Sequence, residues 1–311
     1  MRKNTLEISW IKRPCGLRLC RTMGLEGLGR IAGTWGDFLG SSPRLRMLHR
    51  TALLAASLLH SAVLVRAQQI TGLSDAELHG ITERGRMLAE YDAAAWHASD
   101  VVMALKPGTK NLGRYIAKKT DAGWVVVFGQ LNEPKDRFLI AYEAIPGKNP
   151  AEYHVEKLEQ PKEDAAFFLF AAKAIEVALA AFQPEKRPYN VAALPASSNQ
   201  IYVYIVPAPT VAGVYPYGGD ARFLMSADGG AIVENRRLHK SILEFKAPPK
   251  KAKQTLEGGF HVHVLSNVPE DTDVFYVLSR KPTVPEVVAT DHFLYIISTN
   301  GTIKEEPWKG K

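Results

Sequence analysis

The segment Phe260-His261-Val262-His263-Val264 carries the side chains best suited to chemistry in this chain. In an extended strand alternate residues share a face, so His261 and His263 project together while Phe260, Val262 and Val264 pack behind. Two imidazoles at that spacing can share one zinc ion, with a carboxylate and a water completing a tetrahedral site. Asp273 is the carboxylate expected as third ligand. Asp271 stands two residues before it, and His239 lies on an earlier strand. On this reading the ion-bound water is the nucleophile of a metal-dependent hydrolase. The opposing reading places both histidines on the solvated face of a half-buried strand.

The order of these residues resembles that of the JAMM-type zinc peptidases, which carry His-x-His-Pro followed by a Ser and an Asp where a helix begins. Pro269-Glu270-Asp271-Thr272-Asp273-Val274 stands in the place of the second segment, and 292–298 in that of the following strand. The resemblance implies a zinc site. It departs from the family pattern at several points. Val264 replaces the proline, the Asp arrives early, the expected Ser is missing, and no Glu lies on a strand at the distance of the family's general base. Membership of the family does not follow.

Other chemistry is excluded more easily. The chain has no Gly-x-Ser-x-Gly elbow, no Walker loop and no dinucleotide fingerprint after a strand. Tyr215 and Tyr217 can line a ligand groove or pack over a sheet end. Arg236-Arg237-Leu238-His239-Lys240 suits either an anion contact or a strand edge defended by charge. Lys246 to Lys253 reads as a solvated basic connection, and Asn300-Gly301-Thr302 as a hairpin turn rather than a glycosylation site.

Residues 47–67, MLHRTALLAASLLHSAVLVRA, have the layout of a signal peptide, with a cleavage point after Ala67. The apolar core Thr51 to Val65 is 15 residues long, short of the roughly 20 that span a bilayer. Residues 1–46 then read as a mis-annotated upstream extension, and 68–311 as the exported domain, periplasmic or secreted and not an integral membrane protein. The cut also changes the composition. Of 39 basic and 32 acidic residues, 28 and 29 lie after Ala67, so the formal charge of +7 becomes −1 and nucleic-acid binding is not expected. Both cysteines, Cys15 and Cys20, precede the cut. A thiol nucleophile, a disulfide and a Cys-ligated zinc are excluded from 68–311 together.

The elements that must position the histidines follow from periodicity. Ser74 and Glu77 form a capping box, with Leu73 and Leu78 as its staple. Leu78, Ile81, Gly85, Leu88, Tyr91, Ala95, Ala98, Val102 and Leu105 then recur at helical spacing, with Gly85 as the expected bend and Pro107-Gly108 as the end. Strands are expected over 114–119, 124–130 and 137–145. A buried helix follows, opened by Pro161 and closed before Pro184. Further strands are expected over 189–194, 201–206, 221–226, 231–237, 260–265 and 292–298, with 207–219 as a loop and 271–279 as either helix or strand. The sum is an α+β fold with a largely antiparallel sheet, as one domain or as halves 68–185 and 186–311. The expected function is an exported binding or structural module with an unknown protein or small-molecule partner. The alternative is a zinc hydrolase using His261, His263 and Asp273.

Overall fold

The structure is a computed structural model that describes residues 71–106, 112–248 and 256–308. The signal-like stretch 47–67, the residues before it and Pro107-Gly108 lie outside the described residues. The chain is α+β, as its alternating periods require.

Helix α1 (Asp75–Ala104) begins at the capping box, where Ser74 Oγ accepts from the Glu77 backbone N–H and the Glu77 carboxylate accepts from that of Ser74. Its apolar face is buried from Leu78 to Val102, whereas Leu105 is exposed beyond the last turn. Gly85 serves a different purpose from the expected bend. A Cβ there would stand 2.6 Å from the carbonyl oxygen of Asp271, so glycine lets a C-terminal helix cross α1 closely.

Strands β1 (Arg114–Thr120), β2 (Gly123–Leu131), β3 (Phe138–Pro146) and β4 (Tyr153–Asp164) form an antiparallel meander in chain order. Helix α2 (Phe167–Ala181) follows. Pro161, expected to open that helix, lies inside β4 instead. The real start is set by Asp164, whose Oδ1 accepts from the backbone N–H groups of Ala166, Phe168 and Leu169. Three orphan donors at the entry to the helix are thereby satisfied.

A second antiparallel sheet, in the order β5-β6-β8-β9, contains β5 (Tyr189–Pro195), β6 (Ile201–Pro207), β8 (Ala221–Met225) and β9 (Ile232–Arg237). β1 lies alongside β5. Alternate residues divide between two cores. Ile116, Val127, Val191, Ala193, Val203 and Ile205 pack with α2, whereas Ala117, Val126, Phe128, Ala192, Leu194 and Tyr204 pack with α1. Both cores draw on strands from either side of residue 185.

The expected loop 207–219 contains β7 (Val214–Gly218), which pairs with β10 (Ile242–Lys246) as a two-stranded ribbon. The last sheet holds β11 (Gly259–Val262), β12 (Glu286–Ala289), β13 (Phe293–Ile297) and β14 (Ile303–Pro307). β11 and β12 are parallel, and a parallel pair needs a crossover. Helix α3 (Asp271–Ser279) supplies it, settling the choice left open at 271–279. Val274 and Val277 of α3 pack with Leu78 and Ile81 of α1 and with Tyr295 and Ile297 of β13. Each such buried side chain contributes about 1.5–3 kcal/mol, which holds α3 against α1 and β13. Asn300-Gly301 turns β13 into β14, with Gly301 at φ +85°. No helix among the described residues is long and apolar enough to cross a membrane.

Candidate metal centre

His239, His261, His263 and Asp273 converge, with one ligand-type atom from each lying within 4.8 Å of all the others. They come from separate elements. His239 and His263, both expected on strands, instead follow β9 and β11, while His261 lies on β11 and Asp273 occupies the third position of α3. All four are buried, and Asp273 has no exposed surface.

The histidines are oriented from behind. The Nδ1 atom of His239 lies 2.8 Å from Asp220 Oδ1, that of His261 lies 2.9 Å from Glu286 Oε1, and that of His263 lies 2.8 Å from the Val268 carbonyl oxygen. Each partner is an acceptor, so each Nδ1 carries a proton and each ring turns its Nε2 inward, where a neutral ring offers a lone pair. Local structure explains one of these contacts in full. Gly259 on β11 stands opposite Glu286 on β12. A Cβ on Gly259 would collide with the Glu286 carboxylate, which therefore lies over the glycine and reaches His261 two residues on. Arg280 Nη1 donates to the other Glu286 oxygen at 2.7 Å. Asp273 is set by its helix, since its Oδ2 accepts from the Glu270 backbone N–H at 2.6 Å.

Distances at the focus are close to those of atoms that share one ion. His239 Nε2 is 3.0 Å from His263 Nε2 and 3.1 Å from Asp273 Oδ1. His261 Nε2 is 3.5 Å from Asp273 Oδ1, and His263 Nε2 is 3.3 Å from Asp273 Oδ2. Donors bonded to a common ion at about 2.0–2.1 Å stand about 2.9–3.4 Å apart in octahedral to tetrahedral geometry. Two inward lone pairs at 3.0 Å repel each other unless a proton or a metal ion lies between them.

Electrostatics agree. Burial works to raise Asp273, but His263 and His239 overcome it and hold the carboxyl well below its ordinary value. Burial works to lower His239, yet the Asp220 and Asp273 carboxylates hold it well above. His261 is raised too, against burial, by hydrogen bonds to Asp273 and Glu286. The cluster demands a positive charge, which a proton or a metal ion can supply. The Tyr217 hydroxyl on β7 reaches the same focus, 2.9 Å from His239 Nε2 and 2.6 Å from His261 Nε2, and also meets Asp273 Oδ1. Burial, and then Asp273, push this phenol well above its ordinary range.

The structure brings the sequence-expected residues His261, His263 and Asp273 together. It sends Asp271 elsewhere, onto Arg84, Arg222 and Tyr204. The strand faces also differ from both sequence readings. The histidines are buried, whereas Phe260 and Val264, expected to pack behind them, are 61% and 68% exposed. Together with Leu243, Val262 and Leu265, these side chains wall a depression of about 340 Å³ onto which His239, His261, His263 and Tyr217 open. His239 and Tyr217 had each been singled out by type, but nothing local joined them to the pair. Asp220 and Glu286 had no sequence signal. No family model, curated protein or solved structure matches this chain, so the functional reading rests on the chemistry of the centre itself.

Proposed function

We propose that the protein is a mononuclear metal-binding module. One first-row transition-metal ion is held by His239, His261, His263 and Asp273 and is presented to a ligand with an apolar group at the adjoining depression. The observation that carries this reading is the convergence of three Nε2 lone pairs and one carboxylate, with each imidazole held from behind by an acceptor. Such outer partners fix tautomer and ring direction in metal sites. The donors are imidazole and carboxylate, a set that suits zinc, iron, copper or nickel. The exposed apolar wall supports the ligand class, since apolar patches beside a polar focus mark binding surfaces.

Metal analysis of the full chain, purified without a histidine tag, tests the reading. About one equivalent of metal is expected in the wild type, and its loss in His261→Ala. Sub-stoichiometric metal that His261→Ala leaves unchanged would overturn it.

A second reading, a zinc hydrolase, is favoured by the depression, because a substrate there would lie beside the histidines. An ion-bound water would be the nucleophile. Hydrolysis of aryl esters of graded acyl length is the check. Activity that chelation removes, zinc restores and His263→Ala abolishes would favour the hydrolase. Metal binding with no such activity leaves the binding module.

A further inference from the structure

We propose that Tyr217 Oη is a fifth protein donor to the ion, completing a three-nitrogen, two-oxygen set. The inference rests on the metal-binding reading above and narrows which ion the centre prefers. Tyr217 Oη lies 2.9 Å from His239 Nε2 and 2.6 Å from His261 Nε2, and it meets Asp273 Oδ1. Those neighbours are three of the four donors already assigned to the ion. The phenol oxygen thus points into the same focus as the four donors, where an ion can draw it into the shell.

Hydrogen bonding alone does not account for the position. The phenol has one proton and can serve one acceptor, yet three acceptors surround it. The Nδ1 proton of each ring is engaged by a carboxylate, so a neutral His239 or His261 has no inward proton to offer. A single cation satisfies all of these oxygens and nitrogens together.

The ring is also fixed for the task. β7 is held by its pairing with β10, where Tyr217 stands opposite Leu243. The Tyr217 ring packs on Tyr276 at 4.4 Å, on His261 at 4.6 Å and on His239 at 4.9 Å between centroids. When the oxygen binds the ion, its O–H bond breaks and the proton leaves to solvent. The resulting phenolate and Asp273 are two anionic oxygen donors. Anionic oxygen donors favour hard ions, so iron(III) gains most from Tyr217.

Ferric nitrilotriacetate added to the metal-free full chain is the test. One bound iron is expected, with a visible phenolate-to-iron charge-transfer band that Tyr217→Phe abolishes and Tyr276→Phe keeps. Tyr217→Phe should still bind iron, with affinity lowered at least about 10-fold, and its circular dichroism should match the wild type. One bound iron without the band, or a band that survives in Tyr217→Phe, would overturn the fifth donor and leave the metal site standing. Failure of the wild type to bind any metal above the level of His261→Ala would overturn both.

Discussion

Asp271 and Asp273 lie two residues apart in the first turn of α3, both fully buried, yet their surroundings are opposite in kind. Asp271 faces fixed cations. Arg84 of α1 reaches its Oδ1 at 2.9 Å, while Arg222 of β8 and the Tyr204 hydroxyl reach its Oδ2 at 2.5 and 2.7 Å. Asp273 faces the Nε2 atoms of three imidazoles and one phenol. The first carboxylate is matched by charges that cannot leave, so it is a structural clamp between α3, α1 and the second sheet. The second is matched by groups whose positive charge must be supplied. That difference separates a buried ion pair from a candidate metal site more clearly than burial or acidity does.

The largest effect that can break the comparison is expected at Asp271. Asp271→Ala strands Arg222 inside the protein, and breaking such a pair costs about 3–5 kcal/mol. Urea unfolding should show that loss while metal stoichiometry stays at the wild-type value. If Asp271→Ala loses the metal before it loses stability, the division of labour is wrong. Asp273→Ala should do the reverse. It removes a donor and should lower metal affinity by at least about 100-fold, read by competition with a chromophoric chelator.

Smaller changes sharpen the contrast. Asp220→Asn and Glu286→Gln leave every donor in place but loosen His239 and His261, and each should cost about 10–100-fold in metal affinity. An unchanged affinity in both would mean that the rings are held by packing alone. The smallest effect concerns Glu270, the residue that caps α3. Burial pushes its carboxyl from 4.5 up to about 7, only partly offset by Arg236. The fold therefore holds this proton more tightly than the unfolded chain does. Stability should fall as pH rises from about 4.5 to about 7 and level off above. Glu270→Gln should flatten that part of the profile and stabilise the metal-free protein at pH 8 by about 1–2 kcal/mol, since the amide avoids a buried charge but weakens the bond to Arg236. An unchanged slope between pH 5 and 7 would remove Glu270 as its source.

Much of this was legible in the sequence where neighbours along the chain decide the outcome. The capping box at Ser74, the spacing of α1, the period of β1 to β3 and the pair His261 and His263 are all local patterns. Asp271 and Asp273 looked equivalent in the sequence because spacing alone does not say what surrounds each turn of α3. Strand β4 was missed because most of it is exposed and it has no clean alternation. β7 was hidden by its proline and glycine content. His239, Tyr217, Asp220 and Glu286 join the centre only through contacts between elements far apart in sequence. The inward turn of the histidines was missed for a different reason. Apolar residues usually take the buried face, and on β11 the polar network behind each imidazole reverses that order.

The close crossing at Gly85 has a consequence for timing. Leu73 donates its backbone N–H to Glu305, and Arg84 reaches Asp271, so the first described residues are fastened to the last ones. The carboxylate that orients His261 sits at residue 286, on a strand placed by α3, which itself rests on α1. A growing chain therefore has only a loose His-x-His pair until residue 286 and the strand that carries it have been made. On the proposed metal-binding reading, capture of an ion is a late event that seals a chain already closed on itself.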